Sequence, residues 1–181
     1  SQRTVTGAGC ALLSGSGCAD KGSLSNVCIA GGVIGRVVDL GITDAANMGA
    51  AMAPAAADTL KRHLFDTGRT VEDYDLIITG DLGSFGSELF LMLLNDAGID
   101  AGTRHLDCGN IIFSAEQNAV CGGSGCGCSA VVMNGYILPR MDAGEYERIL
   151  FMATGALMSP TAGLQGESIP GIAHGVVIER R

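Results

Sequence analysis

No apolar run in this chain reaches the ~18 residues that a bilayer-spanning helix needs, although 47% of its 181 residues are hydrophobic. A soluble fold is the expectation. Basic residues are scarce: 11 Lys and Arg stand against 19 Asp and Glu, for a formal net charge of −8. Phosphate backbones are bound by clustered Lys and Arg, so no nucleic acid is expected as a partner. The same deficit argues against direct docking on anionic lipid. No basic leader followed by an apolar core opens the sequence, so no signal peptide is visible. Prolines number only 4 against 28 glycines. That ratio belongs to tight turns and close backbone approaches rather than to a linker or a collagen. The length suits one domain, or part of a larger one.

Cysteine, by contrast, is frequent, at 7 residues. Without a secretory signal, these are expected as free thiols in a reducing compartment. Cys121, Cys126 and Cys128 lie close together, with Cys108 upstream. Structural zinc uses paired Cys-x(2–4)-Cys spacings, and a second such pair. The spacings here do not form two such pairs, so no metal is expected and the thiols read as small packing groups.

Around these cysteines lies the densest glycine stretch, Gly122-Gly-Ser-Gly-Cys-Gly-Cys, followed by an uncharged apolar segment from Ser129 to Leu138. Glycines leave backbone N–H groups accessible at a helix start, where partial positive charge gathers. The segment predicts a buried central helix from about Gly125 to Leu138, ended by Pro139, with an anion site at Ser124, Gly125 and Cys126.

Along the chain, Val5 to Ser14 reads as a strand, Ser14 to Ser25 as a loop, and Asn26 to Val38 as a strand that Gly31, Gly32 and Gly35 allow to bend or bulge. Ala53 to Asp66 predicts an amphipathic helix with Pro54 in its first turn, a solvated His63 and a stop at Gly68. Asp75 to Thr79 is a continuous apolar strand, as in a parallel sheet buried on both faces. It runs into Gly80-Asp-Leu-Gly and a helix capped by Ser84 or Ser87 and closed at Gly98. Ligands collect at the carboxyl ends of such strands, so Asp81 is either a site residue or a turn cap. Asp107, Cys108 and Asn110 read as turn residues in an irregular stretch from Thr103 to Phe113, with a loop-ligand role as the alternative. Arg148 to Thr154 predicts a core strand, Gly155 to Pro170 a long loop, and Gly171 to Glu179 the last strand. On that strand Ile172, His174, Val176 and Ile178 share a face, so His174 is expected to be buried, with a structural role ahead of a catalytic one. The candidate site is Asp81, Ser124, Gly125, Cys126 and His174. The overall class is α/β.

Several longer stretches carry a resemblance. Asn47-Met-Gly-Ala-Ala-Met-Ala-Pro-Ala-Ala-Ala-Asp-Thr, Thr79-Gly-Asp-Leu, Gly122-Gly-Ser-Gly-Cys-Gly-Cys-Ser-Ala-Val-Val, Ala153-Thr-Gly-Ala-Leu-Met-Ser-Pro and Gly166-Glu-Ser-Ile-Pro-Gly-Ile-Ala-His-Gly-Val-Val follow in order. Together they resemble the stage V sporulation protein AD family, from about Thr4 to Arg180. The resemblance implies a thiolase-like fold, of which this chain is the C-terminal half. Residues 1–14 would hold the last strand of a missing N-terminal half, and residues 15–181 the C-terminal half-domain.

What the resemblance implies about function is binding of dipicolinic acid, alone or as its calcium complex. The protein would be the soluble, peripheral member of a channel at the cytoplasmic side of the spore inner membrane, together with other channel subunits and with no cofactor. Thiolase-like enzymes place His or Asn in the turn after the strand that matches Asp75 to Thr79, and in the glycine turn before the central helix. Those places fall on Gly80 and Ser124, which cannot act as acid or base near neutral pH. A binding protein is therefore expected rather than an enzyme. The alternatives are an acyl-thioester condensing enzyme and an assembly subunit with no ligand. Ala130, Val131, Val132, Met133, Tyr136, Ile137 and Leu138 are expected to face the other half or a second copy, as a homodimer with Gly127 and Gly135 permitting close approach.

Overall fold

In the computed structural model, which describes residues 2–5, 7–11 and 25–181, helices cover both faces of a mixed sheet. The elements run β1 (Arg3–Thr4), β2 (Val27–Val33), α1 (Met48–Thr67), β3 (Leu76–Thr79), α2 (Gly83–Asn95), β4 (His105–Asp107) and α3 (Cys108–Ile111). There follow β5 (Gly123–Ser124), α4 (Cys128–Val132), a π-helical turn (Met133–Ile137), α5 (Leu138–Asp142), β6 (Arg148–Ala156), α6 (Pro160–Leu164) and β7 (Gly171–Arg180). The five-stranded sheet has the order β2-β7-β6-β3-β4. Its β3 is parallel to both β4 and β6, while β7 is antiparallel to β6 and β2. The short β1 pairs in parallel with β5.

Alternation along the strands sorts side chains into two cores. Ile77, Leu150, Met152, Ala173 and Val177 face α1 and α2, where Ala53, Ala56, Leu60, Phe90 and Leu94 meet them. Ile78 and Ile149 face the opposite way, onto Cys108, Cys128, Val132, Met133, Ile137 and Met141. Ile77, Ile78, Ile149 and Leu150 have no exposed surface. The uninterrupted apolar run in β3 is thus that of a parallel strand covered on both faces.

The first long helix begins at Met48 rather than at Ala53. Asn47 caps it, its side-chain oxygen accepting from the Ala50 N–H at 3.3 Å. Pro54 consequently lies inside the helix, where it supplies no N–H to the preceding turn. Alanine-rich sequence and burial of most of the helix offset that loss. His63 is not solvated. It is buried, and its Nε2 lies 2.6 Å from the Tyr74 hydroxyl, with burial lowering its pKa. Gly68 closes α1 in the left-handed conformation (φ 65°), as expected of a C-terminal glycine. The α2 helix ends in the same way at Gly98 (φ 75°).

Other boundaries also differ from expectation. Of the expected strand Val5 to Ser14, Val5 and residues 7–11 have no regular structure, and Thr6 and residues 12–14 lie outside the described residues, as does most of the Ser14 to Ser25 loop. The real pairing is one step earlier, at Arg3 and Thr4, and the chain then runs along the central helix, with Gly7 against Val131 and Gly9 against Ala130 and Asn134. In β2 the ladder slips between Ile29 and Gly31, a bulge at the expected glycines, and the strand stops at Val33. The stretch expected to be irregular contains β4 and α3. The long loop from Gly155 to Pro170 opens with the last residues of β6 and contains α6, capped by Ser159.

Pro139 does not end the central helix, which continues to Asp142. Immediately before it, the ladder widens into a π turn in which the Leu138 N–H donates to the Met133 carbonyl. A backbone that must lose one N–H can re-phase there rather than break. The expected outward face is narrower than the sequence suggests, with Ala130, Val131 and Leu138 half-buried. Val132, Met133 and Ile137 are buried within this chain by the sheet, and Tyr136, 39% exposed, lies under the Arg140 guanidinium at 3.7 Å. Gly127 is pressed on the Gly7 carbonyl of the same chain, while Gly135 meets nothing.

His174 is exposed rather than buried, because Ala173, Gly175 and Val177 supply the inward face of β7. Its Nδ1 accepts from the Gly35 N–H at 3.1 Å.

Glycine contacts give a direct test of the α1–α2 crossing. A Cβ on Gly86 would stand 2.9 Å from the Gly49 Cα and 3.0 Å from the Leu82 Cβ. Gly86→Ala is expected to lower the urea midpoint by an amount equal to about 1–3 kcal/mol. Gly135→Ala, in open space within a helical segment, should raise it by about 0.5–1 kcal/mol.

Candidate functional site

Parallel strands joined by helices on opposite faces leave their carboxyl ends along one edge, where side chains from successive loops converge. Here the loop Gly80–Leu82 leaves β3, Asp107 ends β4, Thr154 lies towards the end of β6, and the turn Gly122–Gly127 precedes the central helix. Asp81 joins these segments. Its Oδ2 accepts from the Ser124 hydroxyl at 3.1 Å and the Gly125 N–H at 2.9 Å. Its Oδ1 accepts from the Thr154 hydroxyl at 3.1 Å, and its own N–H donates to that hydroxyl at 3.2 Å. The Gln2 amide donates to the Asp81 and Gly123 carbonyls, attaching the start of the chain to the same loop.

Asp81, Ser124 and Gly125 are therefore brought together. The Ser124 hydroxyl and Gly125 N–H, which could have met an external anion, are directed at the chain's own carboxylate. Cys126 is exposed on the turn beside them. His174 pairs with Ala153, next to Thr154, but its ring is bonded to Gly35 and not to this group.

Behind Asp81 lies a second carboxylate, Asp107, which the sequence suggests as a turn residue with a loop-ligand role as the alternative. Asp107 is 2% exposed. Its Oδ2 accepts from the Thr79 hydroxyl at 2.7 Å and the Leu82 N–H at 2.9 Å, and its Oδ1 from the N–H groups of Gly83 at 3.0 Å and Asn110 at 3.2 Å. It caps both α2 and α3, the role expected of Ser84 or Ser87. The Ser84 hydroxyl instead donates to the Val120 carbonyl, and Ser87 accepts from Asn110. Burial pushes Asp107 up to about 6, against the opposing pull of its Thr79, Leu82 and Gly83 donors and with a small addition from the charge of Asp81. His105 Nε2 lies 2.9 Å from the Thr79 hydroxyl, and burial pushes its pKa down to about 4.

The thiols beneath the site are inert for a physical reason. Burial raises Cys108 far above the ordinary thiol range and Cys128 to about 12, with the nearby carboxylates adding to both. Thiolates are the nucleophiles and metal ligands, so neither thiol is prepared for that work. Among the described residues, no three His, Cys, Asp or Glu side chains are grouped to hold a metal ion. Beside the same loop, a cleft of about 280 Å³ opens between the first turns of α1 and α2, bordered by Gln2, Asn47, Gly49, Ser84 and Phe85.

Thr79, His105, Asp107 and Thr154 were not marked as site residues. Thr79 and Thr154 lie within motifs that were noticed, Thr79-Gly-Asp-Leu and Ala153-Thr-Gly. Asp107 carries an N-terminal capping signal that becomes visible only once β4 is recognised.

Thr154→Val keeps the shape of residue 154 and removes the hydroxyl shared by Asp81 Oδ1 and Asp81 N–H. A loss of about 1–3 kcal/mol in chemical denaturation is expected. The contribution of Asp107, raised from 3.8, is full below that value and is lost as pH rises through about 6. That of His105, lowered from 6.5, is present above 6.5 and is lost as pH falls through about 4. Within this interval the two oppose each other. Removing the histidine by His105→Gln should therefore make stability, relative to the parent, increase as pH falls from 6.5 towards 4, as read from urea midpoints.

Known proteins bear on this geometry. Residues 1–179 match the family described as stage V sporulation protein AD. The chain is 48% identical to stage V sporulation protein AD of Bacillus subtilis (strain 168) over 177 residues, covering 98% of this chain and 50% of that protein. It thus spans about half the length of the curated relative it matches. Among solved structures it is similar to AbyA1, a tetronic acid condensing enzyme, with a TM-score of 0.51 and 15% identity over 88% of this chain and 49% of that one. The likeness to a variant of OleA from Xanthomonas campestris is weaker, with a TM-score of 0.46 and 14% identity over 86% of this chain and 58% of that one. At such identities the structural likeness speaks for the fold, which is thiolase-like.

Proposed function

The chain belongs to the stage V sporulation protein AD family, and on that premise we propose that it is the C-terminal half of a thiolase-like protein that binds dipicolinic acid instead of catalysing acyl transfer. The observation that carries this reading is the use of the site's own donors. The places where thiolase-like enzymes keep His or Asn fall on Gly80 and Ser124. A Cβ on Gly80 would stand 2.8 Å from the Thr154 hydroxyl, and Ser124 is engaged with Asp81. No acid–base group can occupy the first position without moving Thr154, and the second is committed to holding a loop.

Asp81 sets the condition for a dianionic ligand. Its charge repels pyridine dicarboxylate at the glycine turn unless a cation lies between them. A calcium ion, which takes carboxylate oxygens from several sources at once, would bridge Asp81 and the ligand. In this role the protein is the soluble member of a channel that takes up dipicolinic acid at the spore inner membrane. No helix among the described residues is long and apolar enough to cross a membrane, in keeping with peripheral attachment through other subunits. Beyond the central helix, the same sheet face carries Ile29, 52% exposed, and exposed His174. The other half of the protein is the occupant that completes this layer, and a second copy is the alternative in a solution measurement of mass.

Calorimetric titration of the full-length protein with dipicolinate, with and without calcium, tests the reading. Binding is expected, strengthened by calcium, and Ser124→Trp should weaken it at least tenfold by filling the turn. Unchanged affinity in that variant would remove the turn from the site. Turnover of an acyl-thioester that disappears in Cys126→Ala would replace the binding role with an enzymatic one.

A further inference from the structure

The hydroxyl of Thr79 has one proton to donate and two neighbours that want it, the Asp107 carboxylate at 2.7 Å and the His105 Nε2 at 2.9 Å. When Asp107 is ionised it can only accept. The Thr79 proton then points at Asp107, and the Thr79 oxygen accepts from His105, which must carry its proton on Nε2. When Asp107 is protonated, its proton has one possible acceptor among its partners. Leu82, Gly83 and Asn110 present N–H groups, and only the Thr79 oxygen can accept. The Thr79 proton must then turn to His105, whose Nε2 becomes the acceptor and whose proton moves to Nδ1.

We propose that His105, Thr79 and Asp107 form a proton-coupled clamp on the Gly80–Leu82 loop, in which uptake of one proton by Asp107 reverses the direction of both hydrogen bonds, switches the His105 tautomer and loosens the loop that carries Asp81. The balance is simple. The ionised form holds neutral His105 with Nε2–H, the protonated form holds neutral His105 with Nδ1–H, and the single added proton comes from water. The loop loosens because charge-assisted bonds from Leu82 and Gly83 become neutral ones, which are roughly half as strong, and because the negative charge at the first turn of α2 disappears. The groups facing Asp107 leave this order intact. Asp81 from the β3–α2 loop adds negative charge, Cys108 of α3 and Cys128 of the central helix stay protonated, and His105 on β4 resists charging because it is buried. Proton uptake by the group thus falls on the carboxylate. The clamp is a property of this chain alone and does not depend on the ligand.

Nuclear magnetic resonance of the full-length protein between pH 4.5 and 8 reads each part separately. The Asp107 carboxyl carbon should titrate near pH 6, and the His105 ring nitrogens should exchange protonated and unprotonated shifts over the same interval. Hydrogen-exchange protection of the Leu82 and Gly83 amides, corrected for intrinsic rates, should fall severalfold towards low pH. Thr79→Ser keeps the relay and should reproduce the coupled titration. Thr79→Val breaks it, so Asp107 should still titrate while the His105 tautomer stays fixed. The proposal is overturned if the His105 tautomer is constant in the parent while Asp107 titrates, if His105 itself becomes charged in that interval, or if the Thr79→Val variant keeps the coupling.

Discussion

A carboxylate removed from water must be met by donors, and the loops around Asp107 are shaped by that requirement. The Leu82 and Gly83 amides are orphans of the first turn of α2, and the Asn110 amide is an orphan of α3. One side chain satisfies all of them and fastens the ends of β3 and β4 to the helices that follow. Asp81 repeats the device one layer further out, tying the glycine turn and β6 to the same loop. The edge of the sheet is therefore held by two carboxylates stacked in depth, one dry and one accessible to solvent at the Gly125 side. Their mutual repulsion is small beside the burial of the inner one.

What the layers of the fold require is separate from what occupies the strand ends. The layers need only the apolar alternation of β3, β6 and β7 and the small residues of α1, and these are present. At the strand ends Thr79 bonds to Asp107, while Thr154 and Ser124 bond to Asp81. A closed network of this kind gives rigidity and shape.

The parts that sequence reading foresaw are those whose signals are local. The β3 strand shows as a continuous apolar run, and Gly68 and Gly98 stand where left-handed backbone is required. What was missed depends on contacts distant in sequence. His63 looks like one of several charged residues on its helix until Tyr74 closes over it. The β4 strand is three residues long and acquires its identity from pairing with β3. The face of β7 that is buried was assigned to the wrong parity, because Ile172, Val176 and Ile178 are bulkier than the Ala173, Gly175 and Val177 that α1 covers. Close packing against α1 requires small residues there, and Thr59 donates its hydroxyl to the Ala173 carbonyl across that contact. The site residues Asp81, Ser124 and Gly125 were recognisable from glycine-flanked motifs at strand and helix ends. Asp107 and Thr154 were not, since their meaning lies in what they bond to.

The π turn in the central helix carries a consequence for how this segment can change length. The side chains that seat on the sheet, Cys128, Val132, Ile137 and Met141, are separated mostly by four residues. In an unbroken α-helix each four-residue step overshoots a full turn by about 40°, so such a seam winds away from a flat partner within a few turns. From Val132 to Ile137 the step is five, which in an unbroken helix would carry Ile137 about 140° off the seam; the wider turn absorbs the added residue and keeps Ile137 and Met141 on the sheet. The segment behaves like a gear with one added tooth. A one-residue deletion between Met133 and Ile137 would remove the wide turn and leave an ordinary helix with the later half of the seam still on the sheet, whereas one further residue added there would turn that half by about 100°. Here the number of residues, as much as their identity, keeps the glycine turn in register with the strand ends it serves.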